Sequence, residues 1–161
     1  MNNAIIPKRF GLVVFVAAAL TVLATSIALA ATVTGTACDD TLRGTERADD
    51  ISGRGNDHIR ARGGSDVAQG GPGNDDVYGM DGPDRDVAGG VGDDNLYGGL
   101  GGDTLRAAGD GDSDNVYCEE GTDTAIVEVG DLVDDRQIVS ETVLPPGTSC
   151  EVIVVQGLPL P

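Results

Sequence analysis

The sequence is poor in the side chains on which most metalloenzymes and nucleic-acid-binding proteins depend. Its 161 residues include one histidine, His58, and three scattered cysteines, so a zinc site is disfavoured. Ten Lys and Arg stand against 27 Asp and Glu, and the net charge of −17 argues against nucleic acid, whose phosphates need a basic surface. Neither G-x-S-x-G nor H-E-x-x-H occurs, and we therefore expect no enzyme.

The first thirty residues read as a secretory signal peptide. Lys8 and Arg9 precede an apolar run over residues 10–29, and Ala28-Leu29-Ala30 supplies the small residues that signal peptidase accepts. A membrane anchor is the alternative, because about 20 apolar residues can span a bilayer. The small side chains and the cleavage motif favour removal after Ala30. We therefore expect an extracellular protein with no membrane span after cleavage.

A repeat of about nine residues dominates the rest of the chain. Residues 70–78, 89–97 and 98–106 all read G-G-x-G-x-D-x-U-x, where U is apolar, and looser copies extend both ways. The sixth-position aspartates are Asp40, Asp49, Asp57, Asp66, Asp75, Asp84, Asp94, Asp103, Asp114 and Asp123. The eighth-position residues are Leu42, Ile51, Ile59, Ala68, Val77, Val87, Leu96, Leu105, Val116 and Ala125. Ten copies in near-constant phase indicate repeated structure rather than disorder.

The chemistry of one repeat points to a bound cation. Glycine permits the tight turn, and the x-U-x segment predicts a short strand in which only U points inward. One apolar side chain per nine residues makes a poor core, so a cation between stacked carboxylates is expected to add stability. Carboxylate and carbonyl oxygens suit the flexible shell of Ca²⁺ better than the tight octahedron of Mg²⁺. The repeat therefore predicts calcium as cofactor.

On these motifs the chain resembles the RTX, or haemolysin-type, calcium-binding nonapeptide-repeat proteins, in particular small secreted actinobacterial ones. The resemblance implies an all-β parallel β-roll, a β-solenoid of about ten nonapeptide turns with a short C-terminal β cap. The implied boundaries are 1–30 for the signal peptide, 31–126 for the roll and 127–161 for the cap and a loose tail.

The resemblance also implies where calcium is held. Ions would lie between turns two repeats apart, in the pairs Asp57–Asp75, Asp66–Asp84, Asp75–Asp94 and Asp84–Asp103. Loop carbonyls would come from Gly53, Gly55, Gly71, Gly73, Gly90, Gly92, Gly99 and Gly101. Cys38 and Arg47 replace the fourth-position glycine of the first two copies and weaken an ion site there. Pro83 with an extra residue before Val87, and a two-residue insertion before Asp114, are expected to distort their loops.

An EF-hand loop beginning at Asp110 is a competing interpretation of the acidic run at residues 110–114. Its sixth position is Asn115 instead of Gly, its twelfth is Gly121 instead of Glu, and no flanking helix pattern is visible. The roll accounts for the same residues in the phase already established.

Alternate stacking sorts the ninth-position residues into two outward ladders. One ladder is Arg43, Arg60, Tyr78, Tyr97 and Tyr117, and the other is Ser52, Gln69, Ala88, Arg106 and Ile126. The three tyrosines would thus share one face. They would either stack for stability or form a recognition strip for a sugar or wall polymer. His58 falls at an outward seventh position and is expected to be a solvated surface residue.

The C-terminal segment changes character after Asp123. Residues 126–129, 132–133, 137–139 and 150–155 read as conventional strands, which suits the cap that a solenoid needs. In the resembling proteins, a cysteine after the last repeats accompanies a Cys-Glu-Val near the end. The resemblance therefore implies a Cys118–Cys150 disulfide. Cys38 would then be free or form an intermolecular bond. Residues from Gly157 on are expected to be loose.

These observations predict a secreted, non-catalytic calcium-binding protein whose folding is coupled to the ion. A cell-surface adhesin or carbohydrate-binding module that uses the tyrosine ladder is the alternative.

Overall fold

The structure is a computed structural model and describes residues 30–134, 136–137, 150 and 152–156. The signal-peptide run to residue 29, residues 135 and 151, the whole segment 138–149 and the tail from 157 lie outside the described residues. Every regular element in the described part is a strand. The strands are β1 (Thr32–Thr34), β2 (Thr41–Arg43), β3 (Asp50–Ser52), β4 (His58–Gly63), β5 (Val67–Pro72), β6 (Asp76–Asp81), β7 (Asp86–Val91), β8 (Asn95–Gly101), β9 (Thr104–Arg106), β10 (Asn115–Gly121), β11 (Thr124–Glu128), β12 (Leu132–Val133), β13 (Arg136–Gln137) and β14 (Val152–Gln156).

The strands form two seven-stranded sheets that the chain enters alternately. One sheet has the order β1-β3-β5-β7-β9-β11-β14 and the other β13-β12-β10-β8-β6-β4-β2. All pairs are parallel except β12 with β13. Each nonapeptide contributes one strand, and two nonapeptides complete one coil, so the ten repeats make about five coils. The predicted all-β solenoid is confirmed.

The core is a thin layer of side chains between the two sheets. All ten predicted eighth-position residues belong to it, and all but Leu42 are completely buried. Most central strands are longer than the predicted x-U-x and continue into the next repeat. Because alternate residues of a strand face the same side, the first position of the following repeat also points inward. It holds a glycine or a small or medium side chain such as Ala61 or Cys118.

Both insertions are absorbed without loss of phase. Arg85 and Asp86 together oppose Val67, a bulge that takes up the extra residue after Pro83, and Val87 still pairs with Ala68. After the insertion before Asp114, Asn115 pairs with Asn95 as the register requires. The EF-hand interpretation is wrong, because no helix flanks residues 110–114 in the described chain and Asp114 occupies its expected repeat position.

The C-terminal elements extend both sheets past the last repeat. β14 pairs in parallel with β11, and β12 and β13 continue the other sheet beyond β10. The predicted Cys118–Cys150 disulfide is confirmed, with Cα atoms 5.3 Å apart, and Cys38 is a free, exposed thiol. Within the described residues, no helix is long and apolar enough to cross a membrane.

The thin core makes each inward side chain important. Leu96 is completely buried, whereas Leu100 is 50% exposed. We expect Leu96→Ala to lower the free energy of unfolding by about 2–5 kcal/mol, because it leaves a cavity that the sheets cannot close. Leu100→Ala, the matched control, should change it by less than about 0.5 kcal/mol. Urea unfolding in calcium measures both, and equal effects would contradict the assigned core.

Candidate metal sites

The sixth-position aspartates stack into two columns, one along each edge of the solenoid where the chain turns between sheets. The first column is Asp40, Asp57, Asp75, Asp94, Asp114 and Asp131, and the second is Asp49, Asp66, Asp84, Asp103 and Asp123. All except Asp40 are buried. Asp131 was not predicted; the signal that could have found it is its spacing of eight from Asp123 and the glycine before it.

One oxygen of each stacked carboxylate is bonded within the protein. Oδ1 accepts a hydrogen bond from the backbone N–H of the aspartate one coil earlier, for example Asp57 to Asp75 at 2.6 Å and Asp84 to Asp103 at 2.8 Å. The four predicted pairs are thus brought together in the predicted register. These bonds fix the orientation of each carboxylate and direct its second oxygen into the turn.

The second oxygen of the central aspartates has no hydrogen-bond partner although it is buried. This holds for Oδ2 of Asp66, Asp75, Asp84, Asp94, Asp103 and Asp114. A buried ionised oxygen without a partner carries its full desolvation cost. Native proteins rarely leave such groups unsatisfied, so a cation, a proton or an ordered water is expected at each of these atoms.

Carbonyl oxygens surround these carboxylate oxygens. A Cβ built on Gly79 would lie 2.6 Å from the carbonyl oxygen of Gly98 and closer still to Oδ2 of Asp84. Gly70 stands in the same relation to Gly89 and Asp75. The first-position glycines, which the sequence analysis left out of the site, thus make room for two oxygens from successive coils. Two oxygens facing one another repel unless a cation or proton lies near them.

The predicted loop glycines line the same turns. Gly55, Gly71, Gly73, Gly90, Gly92, Gly99 and Gly101 all have left-handed φ, between 100° and 153°. The carbonyl oxygens of Gly53 and Gly55 approach the α-carbons of Gly71 and Gly73 of the next coil. Across the part of the chain that the structure describes, no three His, Cys, Asp or Glu side chains cluster as a metal cage. The available donors are one carboxylate per turn with backbone oxygens, a set that suits Ca²⁺.

Burial raises the pKa of the central carboxyls. It raises the pKa of Asp75 and Asp103 to about 6, of Asp84 and Asp94 to about 7, and of Asp114 to about 8, with neighbouring carboxylates adding to the effect. Asp114, for which a weakened site was predicted, shares the raised pKa and the unpartnered Oδ2 of its neighbours, but a Cβ built on Gly109 or Gly111 of its turn would meet no atom of a neighbouring coil within 4 Å. Asp57 differs, since its Oδ2 accepts the Arg54 N–H at 2.7 Å.

The tyrosine ladder lies on the outer face of the sheet that contains β4, β6, β8 and β10. Tyr78 and Tyr97 stack with centroids 4.5 Å apart and planes within 4°, and Tyr97 and Tyr117 stack at 4.9 Å and 11°. The Arg60 guanidinium carbon lies 5.8 Å from the centroid of the Tyr78 ring, and the centroids of the His58 and Tyr78 rings are 5.1 Å apart. A groove of about 370 Å³ runs beside Tyr78 and Tyr97. The rings therefore cover one another's faces.

Comparison with protein families agrees with the geometry. Residues 51–86 match the family model of the RTX calcium-binding nonapeptide repeat, in four copies. The fold of the described residues is thus a parallel β-solenoid, and residues 51–86 are similar to RTX repeats, a type of repeat that binds Ca²⁺. Comparisons with curated proteins and with solved structures found no match.

The raised pKa values predict the pH dependence of the metal-free protein. An unfolded aspartate has a pKa near 3.9, so between about pH 4 and pH 8 the folded chain binds more protons than the unfolded chain. Metal-free stability should therefore fall as the pH rises through this range. Circular dichroism and urea unfolding in metal-free buffer at pH 5 and pH 8 measure it. Greater stability at pH 8 would contradict the buried, unpartnered state of these carboxyls.

Proposed function

We propose that this chain is a secreted, non-catalytic calcium-binding protein in which ion binding and folding are one event. The observation that carries the proposal is the row of buried Oδ2 atoms without hydrogen-bond partners in the two aspartate columns. Calcium supplies positive charge and accepts six to eight oxygen ligands in a flexible shell. Carboxylate and carbonyl oxygens lie close together in the turns of Asp75, Asp84 and Asp103, and no side-chain nitrogen or sulfur is required.

The ligands would come from the predicted residues. Asp66, Asp75, Asp84, Asp94 and Asp103 would each give Oδ2, and Asp114 would do the same. Loop carbonyls would come from Gly53, Gly55, Gly71, Gly73, Gly90, Gly92, Gly99 and Gly101. Asp57 has weaker support than the others, because both of its oxygens already accept an amide N–H.

Coupling to folding follows from the electrostatics of the columns. The turns of Asp75, Asp84 and Asp103 bring a carboxylate close to a carbonyl oxygen of the next coil, and the thin core offers little compensation. A ligand that binds only the folded chain stabilises it by about 2.7 kcal/mol per independent site at one hundred times Kd. Several sites in series would decide whether the solenoid forms at all.

The proposed setting is extracellular. The basic and apolar start of the sequence and the Ala-x-Ala motif support export, and the Cys118–Cys150 disulfide suits an oxidising compartment. Extracellular calcium modules commonly bind with Kd of about 10⁻⁴–10⁻³ M. Calcium outside the cell would then trigger folding after export.

The adhesin alternative receives less support than stabilisation by the tyrosine ladder. A sugar ring packs against an exposed aromatic face. Here the facing sides of the three rings are occupied by one another, and the outer face of Tyr78 lies beneath Arg60. We therefore propose that the ladder chiefly stabilises the sheet.

The proposal is tested by Asp84→Asn, with Asp81→Asn as the matched control in the same turn. The side-chain amide that Asp84→Asn introduces can donate to the carbonyl of Gly98 at any pH, which an ionised Oδ2 cannot. We expect Asp84→Asn to reduce the number of bound calcium ions in calorimetric titration by one or more. It should also strengthen the β-sheet signal in chelator.

Asp81 is exposed, so Asp81→Asn removes the same formal charge without touching the column. It should leave both measurements at the wild-type values. Unchanged calcium binding by Asp84→Asn, or an equal loss in both variants, would contradict the assigned ligands.

A further inference from the structure

In the first two turns, hydrogen-bond donors of the protein satisfy the second carboxylate oxygen, so no cation is needed there. Oδ2 of Asp40 accepts the Thr36 N–H at 2.6 Å and the Thr36 hydroxyl at 2.8 Å. Oδ2 of Asp49 accepts the Thr45 N–H at 2.5 Å and the Thr45 hydroxyl at 2.9 Å. In the central turns the equivalent oxygen has no such donors. The same repeat position therefore exists in two chemically different forms.

The backbone at the second position of the repeat differs between the first two turns and the turns of Asp66 to Asp103. This position has left-handed φ in five successive turns, at Arg62 (88°), Gly71 (100°), Met80 (80°), Gly90 (126°) and Gly99 (107°). Thr36 and Thr45 occupy it in the first two turns and are not among the described residues with positive φ. A β-branched residue avoids that region. The turn then takes the shape in which the amide N–H and the hydroxyl both reach the aspartate.

The pKa values of Asp40 and Asp49 reflect these hydrogen-bond donors. Hydrogen bonds from the Thr36 amide and hydroxyl lower the pKa of Asp40. Burial acts to raise the pKa of Asp49, but the amides of Ala31 and Thr45 and the Thr45 hydroxyl together bring it below its ordinary value. The pKa values of these first two carboxyls are thus lowered, whereas those of Asp75, Asp84 and Asp94 are raised.

From this contrast we infer that Thr36 and Thr45 replace calcium in the turns of Asp40 and Asp49, which hold no ion. The inference rests on the proposed calcium binding of the later turns. At this end of the solenoid, the protein alone would satisfy the carboxylates of the first coil. The coils that depend on ions would stack against that first coil. The number of bound ions is then smaller than the number of repeats.

The test counts ions taken up on folding, from the slope of the folding equilibrium against the logarithm of calcium concentration. Thr45→Val keeps the β-branch and the amide and removes only the hydroxyl. We expect the variant to be less stable than wild type at every calcium concentration, with an unchanged slope. Thr41→Val, in the exposed outward position on β2, is the matched control and should change neither quantity.

A gain-of-site variant gives the converse result. Thr45→Gly with Arg47→Gly places glycine at the second and fourth positions, both left-handed in the turns of Asp75, Asp94 and Asp103. This double variant should take up one more calcium ion than wild type, measured by equilibrium dialysis and by the slope.

A smaller slope in Thr45→Val would show that Thr45 belongs to a calcium site and would overturn the inference. So would a double variant that binds no additional ion while wild type binds calcium. A wild-type slope of zero is a different result, because it removes the proposed calcium function itself.

Discussion

The structure depends on how a buried carboxylate satisfies two oxygens when the protein offers donors for only one. In the turns of Asp75, Asp84 and Asp103, Oδ1 accepts an amide N–H from the preceding coil, and Oδ2 lies near a carbonyl oxygen and has no hydrogen-bond partner. Desolvation penalises that arrangement for an anion, as the raised pKa values of Asp84 and Asp94 reflect. A divalent ion bound in such a turn would remove the penalty. The acidity and the glycine content of the sequence both follow from this requirement.

Other interactions hold the coils together without an ion, but they are modest. The core is thin. The outer face of one sheet carries two ladders of side chains that lie beside each other. Asn115 donates to Asn95 and Asn95 to Asp76, each at 2.8 Å, next to the stacked tyrosines. Cross-strand pairs of this kind contribute roughly 0.2–1 kcal/mol each. These pairs align neighbouring strands, whereas the charge of the aspartate columns opposes the close approach of successive coils.

Sequence periodicity was enough to predict the fold class, the inward eighth-position residues and the register that places Tyr78, Tyr97 and Tyr117 together. Each of these follows from a fixed spacing repeated many times, which local irregularities do not disturb. The bulge at Arg85 and Asp86 illustrates this, since one extra residue left the pairing of Val87 unchanged. The Cys118–Cys150 pair could be expected only from resemblance, because spacing alone does not choose among three cysteines.

The parts that sequence reasoning missed depend on backbone conformation. The role of the first-position glycines appears only when Oδ2 and a carbonyl from the next coil are seen to meet at the same point. The donors of Thr45 become visible only when the φ of the second position is known. Asp131 was missed because its turn has a single glycine and lies among residues read as a cap, yet the Glu128 amide satisfies its Oδ2 as the Arg54 amide does for Asp57.

The most direct test of the account is a calcium titration of the purified protein followed by circular dichroism, with urea unfolding at each concentration. The account predicts that the β-sheet signal and the unfolding midpoint rise together through the range of about 10⁻⁴–10⁻³ M calcium, and that magnesium does not replace it. A complete β-sheet signal in excess chelator at neutral pH, with a midpoint that calcium does not move, would contradict it.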